Sequence, residues 1–166
     1  EYAVFDTVQD KKWEATRGVG HSFGANRNER PQDIVTATEL VHMLVDVVSK
    51  NGNLLIGIGP DDHGGIVPEQ QAPLRGLGEW MAAHGDVIRG SRPWTVPATE
   101  TTEGTPVRFV RKGDEVFAIL LGLPGMRTFG LRGVEGIDEI TLPERMPVEP
   151  AYVVPLGTEA RWAQEA

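Results

Sequence analysis

The sequence predicts an α/β segment that gives way to an all-β one. Two observations carry the first half. An apolar run over residues 53–58, Asn53-Leu54-Leu55-Ile56-Gly57-Ile58, is too short and too punctuated by Gly and Pro for a helix, and it reads as a buried strand. Helix patterns run into it and out of it, and a strand buried between two helices is the unit of a parallel α/β structure. The third observation is a change of texture from residue 86. Short β-like segments follow, separated by Pro- and Gly-rich turns, at the spacing of a β-sandwich. Too few are visible to close one, so the sandwich is expected to be incomplete.

Residues 1–32 show no lasting helical or strand period. Glycines alternate with polar and aromatic side chains from Gly18 to Glu29, after Trp13-Glu14. This predicts an extended loop built on one or two short strands. Loops of this composition carry function more often than regular elements do, although a plain surface loop with turn glycines fits the pattern as well.

Residues 36–50 predict a helix. Thr36 and Glu39 form a capping box, in which the Thr hydroxyl accepts from the third amide and the Glu reaches back. Val41, Leu44, Val45 and Val48 make one buried stripe. Asn51-Gly52 supplies the left-handed residue that ends the helix. A second helix is expected over 69–84, with Pro73 in its first turn, Leu74, Leu77, Trp80 and Met81 on one face, and Gly85 as its stop. Gly76 and Gly78 weaken it by roughly 1 kcal/mol each and point to close packing against the strand. Residues 95–106 read as a linker or domain edge. Val107–Arg111 and Glu115–Leu121 flank Lys112-Gly113-Asp114, a hairpin signal. Gly136–Leu142 and Tyr152–Leu156 are further short strands.

The composition excludes several functions. The 166 residues are 40% hydrophobic, enough for a packed core, and the net charge is -8. A nucleic-acid or anionic-membrane partner would need a basic face. Cysteine is absent, so disulfides and thiolate chemistry are too. No apolar run reaches the roughly 18 residues of a membrane span. The start, Glu1-Tyr2-Ala3-Val4-Phe5, lacks an initiator Met and a signal pattern, which suggests a piece of a longer protein. The compartment, bacterial cytoplasm or outside, stays open.

Candidate chemistry is sparse. Gly57-Ile58-Gly59 has the wrong spacing to Gly64 for a dinucleotide loop. Asp61-Asp62-His63 could be a metal cluster, but three adjacent side chains converge poorly on one ion, and a polar turn at a strand end explains them better. His42 and Asp46, one turn apart, could also form a metal pair, but such pairs are usually a solvated face. No metal site and no cofactor are expected. Glu1 and Glu14 remain as acid/base carboxylates, two among 24 acidic residues.

Six blocks in order then carry a resemblance: Trp13-Glu14; Ser22-Phe23-Gly24; the helix Glu39–Lys50; Gly52-Asn53-Leu54-Leu55-Ile56-Gly57-Ile58-Gly59-Pro60 with Gly64; Leu74–Gly78-Glu79-Trp80; and His84-Gly85-Asp86-Val87-Ile88 with Ser91-Arg92-Pro93-Trp94. Together they resemble the C-terminal part of the α-L-fucosidases of glycoside hydrolase family 29, over residues 1 to about 121. The resemblance implies the C-terminal part of a (β/α)8-like barrel over residues 1–94, followed by a partial β-sandwich over 95–166. It implies removal of terminal α-L-fucose with retention, through a covalent glycosyl-enzyme intermediate, by a nucleophile and a general acid/base. The nucleophile, an Asp on a middle barrel strand, would lie outside this chain, so the chain alone would be inactive.

Glu1-Tyr2 matches the end of the family's acid/base segment and makes Glu1 the implied general acid/base. Glu14 is its rival, or an acceptor that orients pocket loops and helps bind substrate. Phe23 is implied as an apolar wall for the fucose methyl, because burying that methyl removes apolar surface from water. Departures from the family pattern are Gly57 for Asn, Asp62-His63-Gly64 for an Ala-Asp-Gly-like turn, Ala25 for an aromatic and Arg89 for Tyr. Implied partners are a fucosylated glycan or small α-L-fucoside and the N-terminal remainder of the same enzyme; a homo-oligomer is compatible with the sequence. Two alternatives stay open: a non-catalytic carbohydrate-binding or structural sandwich, and a generic α/β domain with no role on sugars.

Overall fold

The structure is a computed structural model that describes residues 3–137, 139–142, 144 and 149–158. Its first strand, β1 (Trp13–Gly18), pairs in parallel with β2 (Gly52–Gly57), and helix α1 (Ala37–Ser49) makes the crossover between them. Helix α2 (Pro68–Ile88) follows β2. This is the parallel α/β unit expected from the apolar run.

The capping box closes as the sequence requires. The Thr36 hydroxyl accepts from the Glu39 amide at 3.1 Å, and the Glu39 carboxylate takes the Thr36 amide at 2.7 Å. At the far end it is Asn51, not Gly52, that adopts positive φ (72°). Gly52 serves a different need: a Cβ there would lie 2.6 Å from the Trp13 ring and 2.7 Å from Val47. The indole therefore packs where a Gly52 side chain would stand, and its Nε1 donates to the Lys50 carbonyl at 2.9 Å.

Helix α2 differs from expectation at both ends. Pro68 takes the first-turn place, where a missing N–H is harmless, so Pro73 sits inside the helix. Gly85 does not stop it; the helix runs on to Ile88 because Val87 and Ile88 join an apolar cluster that holds the last turn. Gly76 is the close-packing glycine, but against α1: its Cβ would lie 2.5 Å from the Ala37 Cβ. Gly78 has open space where a Cβ would stand.

Of residues 95–106, expected to form a linker, 95–100 are instead strand and 101–105 turn. β3 (Arg92–Glu100) opens a four-stranded antiparallel sheet with β4 (Pro106–Lys112), β5 (Glu115–Leu120) and β8 (Tyr152–Thr158), in the order β3-β4-β5-β8. Pro-rich β3 is an edge strand with an irregularity between Pro93 and Ala98, the place in a sheet where missing N–H groups are tolerated. The β4–β5 hairpin turns at Gly113, whose φ is 59°. β6 (Thr128–Phe129) and β7 (Ile140–Thr141) form a separate antiparallel pair, so the strand expected over 136–142 is two residues long among the described ones.

The four-stranded sheet is buried on both faces. Val107, Phe109, Val116, Ala118, Leu120, Tyr152, Val154 and Leu156 point into a core shared with Phe129 and Ile140. Val110, Ile119 and Ala151 point the other way, onto Val41 and Val45 of α1 and Trp80 of α2. Trp80 is fully buried, and its Nε1 donates to the Ala151 carbonyl at 2.8 Å. A third cluster, Val19, Val35 and Leu40 with Ile56 and Leu74 against it, joins the helices to the parallel pair. The helices are thus the middle layer between a parallel and an antiparallel sheet.

This layering overturns the solvated face expected for His42 and Asp46. His42 Nε2 lies 3.2 Å from the Pro150 carbonyl, and Asp46 faces Arg108 of β4 and Lys50. No helix among the described residues is long and apolar enough to cross a membrane.

Candidate functional site

Because β1 and β2 run in parallel and in register, with Gly18 opposite Gly57, both strands end at one level. The loops that follow them, residues 19–30 and 58–67, therefore emerge at the same end. In parallel α/β structures this carboxyl end is where ligands bind. The start of the first loop is stitched to β2 and to the chain before α1 by backbone hydrogen bonds. Val19 N–H donates to the Gly57 carbonyl, and Val35 N–H to the Val19 carbonyl, each at 2.9 Å.

Glycines let the loops lie directly on the strand ends. A Cβ on Gly59 would stand 2.5 Å from the Ala25 nitrogen and the Gly24 carbonyl carbon. One on Gly18 would stand 2.5 Å from the Ser22 carbonyl oxygen, and one on Gly57 3.2 Å from the Phe23 ring. Phe23 thus lies over the end of β2, the residue 41% exposed. The Glu29 carboxylate returns under the loop, where it accepts from the Ser22 amide at 2.8 Å and fills the space a Cβ on Gly20 would take. Asn26 Nδ2 donates to the Ser22 hydroxyl at 3.0 Å. At the base of the loop the Arg30 guanidinium and amide hold the Asp33 carboxyl below its ordinary pKa.

The second loop is a tight polar turn. Asp61 Oδ1 accepts from the amides of His63 and Gly65, at 2.9 and 2.7 Å. Asp62 turns to Arg27 of the first loop at 3.0 Å, and His63 points to solvent. The His63 ring comes within 3.8 Å of Asp62, while the Asp61 carboxylate is taken up by backbone amides, and among the described residues no group of three His, Cys, Asp or Glu is placed to hold a metal ion. A cleft of about 530 Å³ lies between the loops, lined by Ala25, Arg27, Glu29, Asp61, Val67 and Gln70 among others. Gln70, buried at the start of α2, accepts from the Gly59 amide at 3.0 Å and fixes its floor.

The two faces of the parallel pair differ. Trp13 and Gly52 turn toward α1, and the two-residue period puts Glu14, Thr16, Asn53, Leu55 and Gly57 on the opposite face. Among the described residues no helix covers that face, and Leu55 is 49% exposed. Of the candidate residues from sequence, Glu1 lies outside the described residues. Glu14 sits at the amino end of β1, exposed, four residues or about 13 Å of extended chain from Gly18. The structure does not bring it to Phe23. Sequence reasoning missed Glu29: it follows Ser22 by seven residues of aperiodic loop, and only the bare Gly20 hints that something packs there.

A parallel strand pair with two loops at its carboxyl end, packed through helices against an antiparallel sheet, defines a mixed helix/sheet protein. The family model described as alpha-L-fucosidase matches residues 1–86. The chain belongs to the α-L-fucosidase family. It is 37% identical over 119 residues to the tissue alpha-L-fucosidase of Macaca fascicularis, which covers 71% of this chain and 25% of that protein. A Thermotoga maritima alpha-L-fucosynthase solved with α-L-Fuc-(1-2)-β-L-Fuc-N3 superposes with a TM-score of 0.85 at 35% identity, covering 92% of this chain and 40% of that one. The Thermotoga maritima alpha-fucosidase solved with fucose gives 0.73 at 36% identity, covering 95% and 38%. The chain therefore spans a quarter to two fifths of the length of these relatives.

Proposed function

We propose that this chain is the C-terminal part of a retaining α-L-fucosidase that acts on a fucosylated glycan or a small α-L-fucoside. The observation that carries the reading is the seating of Phe23. An aromatic ring lies half exposed at the shared carboxyl end of two parallel strands, within the segment matched by the fucosidase model. Relatives of the same family have been solved with fucose and with a fucosyl disaccharide.

In this reading β1 and β2 are late strands of a (β/α)8-like barrel, residues 1–94 belong to it, and residues 95–166 form a β-sandwich. The uncovered face that carries Glu14, Thr16 and Leu55 turns toward the barrel interior, completed by the N-terminal remainder of the enzyme. Phe23 walls the deoxy C6 methyl of fucose, where burial of one methyl separates substrates by roughly 10- to 200-fold. Glu1 is the general acid/base. It protonates the departing aglycone oxygen and then deprotonates the water that hydrolyses the covalent intermediate formed on a carboxylate from outside this chain. Glu14, at the other end of β1, orients neighbouring groups.

The test uses the full-length enzyme carrying this chain. Glu1→Gln slows release of an alkyl or sugar aglycone by orders of magnitude more than release of 4-nitrophenol, which leaves without a proton. Equal losses on the two substrates would remove Glu1 from the role. The 166-residue chain alone is inactive on 4-nitrophenyl α-L-fucoside, and turnover by it would overturn the two-carboxylate reading.

A further inference from the structure

We infer that Glu29 is a positioning residue that sets the ring of Phe23, and through it the selectivity at the sugar's C6. The inference rests on the reading of Phe23 given above. Ser22, the residue immediately before Phe23, is held at three of its atoms. Its amide donates to Glu29 Oε1 at 2.8 Å. Its hydroxyl accepts from Asn26 Nδ2 at 3.0 Å. Its carbonyl rests on bare Gly18, where a Cβ would stand 2.5 Å away. With residue 22 pinned and Gly24 and Ala25 seated on Gly59, Phe23 is held from both chain neighbours, and Gly57 bounds its ring from below.

Glu29 is the anchor that local structure alone does not supply. It comes from the far side of the loop, and it reaches the Ser22 amide only because Gly20 has no side chain: the carboxylate occupies that Cβ position. Its other covalent end is fixed as well, since the Glu29 amide donates to the Asn26 carbonyl at 3.1 Å. Glu29 and Asn26 therefore tie residues 22 to 29 into one closed turn with Phe23 inside it. A wall that discriminates one methyl must be held to within about half an ångström. A carboxylate on a backbone amide is the stronger kind of hydrogen bond for that purpose. The class of ligand feature this device serves is the deoxy carbon of a 6-deoxy-hexose, against a hydroxymethyl at the same place.

The experiment compares kcat/KM for 4-nitrophenyl α-L-fucoside and 4-nitrophenyl α-L-galactoside, which differ only at C6, in the full-length enzyme. Phe23→Ala lowers the fucoside preference roughly tenfold or more. Glu29→Ala lowers it to a similar degree, while Glu29→Gln, which keeps an acceptor for the Ser22 amide, stays within about threefold of the parent. Phe23→Ala with Glu29→Ala together matches Phe23→Ala alone, because both remove one wall. Gly20→Ala displaces the carboxylate without deleting it and lowers the preference as well, which keeps the test alive if Glu29→Ala does not fold. An unchanged preference in Glu29→Ala or Gly20→Ala, or additive losses in the double variant, overturns the role of Glu29 and leaves that of Phe23 standing. An unchanged preference in Phe23→Ala overturns both.

Discussion

Arg108 Nε meets Asp46 Oδ1 at 2.6 Å, across the boundary between the antiparallel sheet and helix α1. Lys50 closes on the same carboxylate from one helical turn away, its Nζ 2.7 Å from Oδ1 and 2.8 Å from Oδ2. The Lys50 residue is 4% exposed. Two cations from two layers thus share one anion, and the orientation of the helix layer on the sheet is fixed by charge as well as by apolar contact.

Removal of that anion leaves two cations facing each other beside the apolar cluster. Asp46→Ala is expected to destabilise the protein by about 2–4 kcal/mol, somewhat below the roughly 3–5 kcal/mol of a fully buried pair because Asp46 and Arg108 keep some solvent. Urea unfolding measures it. A loss under about 0.5 kcal/mol would show that the triad is no more than a surface cluster.

Trp80 joins the same two layers through an uncharged contact. Trp80→Phe keeps most of the apolar volume but strips the Ala151 carbonyl of its donor, with an expected loss of about 1–3 kcal/mol. Trp80→Ala adds a cavity and reaches about 3–5 kcal/mol. If the two variants unfold at the same denaturant concentration, the hydrogen bond that both lose, and not packing, sets the contribution of this residue.

Gly59→Ala places a methyl 2.5 Å from the backbone of Gly24 and Ala25, which has no flexible end to swing away. Overpacking of this kind costs about 1–3 kcal/mol. The first loop must lift, so on the proposed reading the affinity of the full-length enzyme for fucose falls together with stability. Gly57→Ala is the milder neighbour, because at 3.2 Å only the Phe23 ring has to give. Calorimetric titration of fucose into both variants checks the order, and tighter binding by Gly59→Ala than by Gly57→Ala contradicts it.

The capping box of α1 gives a pH dependence with a definite sign. Hydrogen bonds from the Thr36 amide and hydroxyl hold the Glu39 carboxyl below its ordinary pKa. The folded value is the lower one, so the stabilisation is fully present above the ordinary Glu value of about 4.3 and is lost as pH falls through the folded value. Thr36→Ala lowers stability by about 1 kcal/mol near neutrality and by less in acid. A gap in melting temperature between the two proteins that narrows in acid bears this out; a constant gap does not.

Much of this protein was decided locally. The α1 stripe, the Thr36–Glu39 box, the strand at Leu54-Leu55-Ile56 and the Lys112-Gly113-Asp114 turn each depend on residues within a few positions of one another, so their periods and caps are legible in the chain itself. The family resemblance is legible too, because it lies in ordered blocks of sequence. Other features were settled only by contact between distant segments. Residues 95–100 become strand because β4 offers them a partner. Asp46 leaves the solvent because Arg108, 62 residues away, approaches it. Helix α2 outruns Gly85 because its last turn has a core to enter. The Glu29–Ser22 contact closes over a side chain that Gly20 lacks, and a missing atom acquires meaning only when something else is folded into its place. Glu14 and Phe23, nine residues apart in the chain, belong to opposite ends of the site because an extended strand keeps its residues about 3.3 Å apart along one direction.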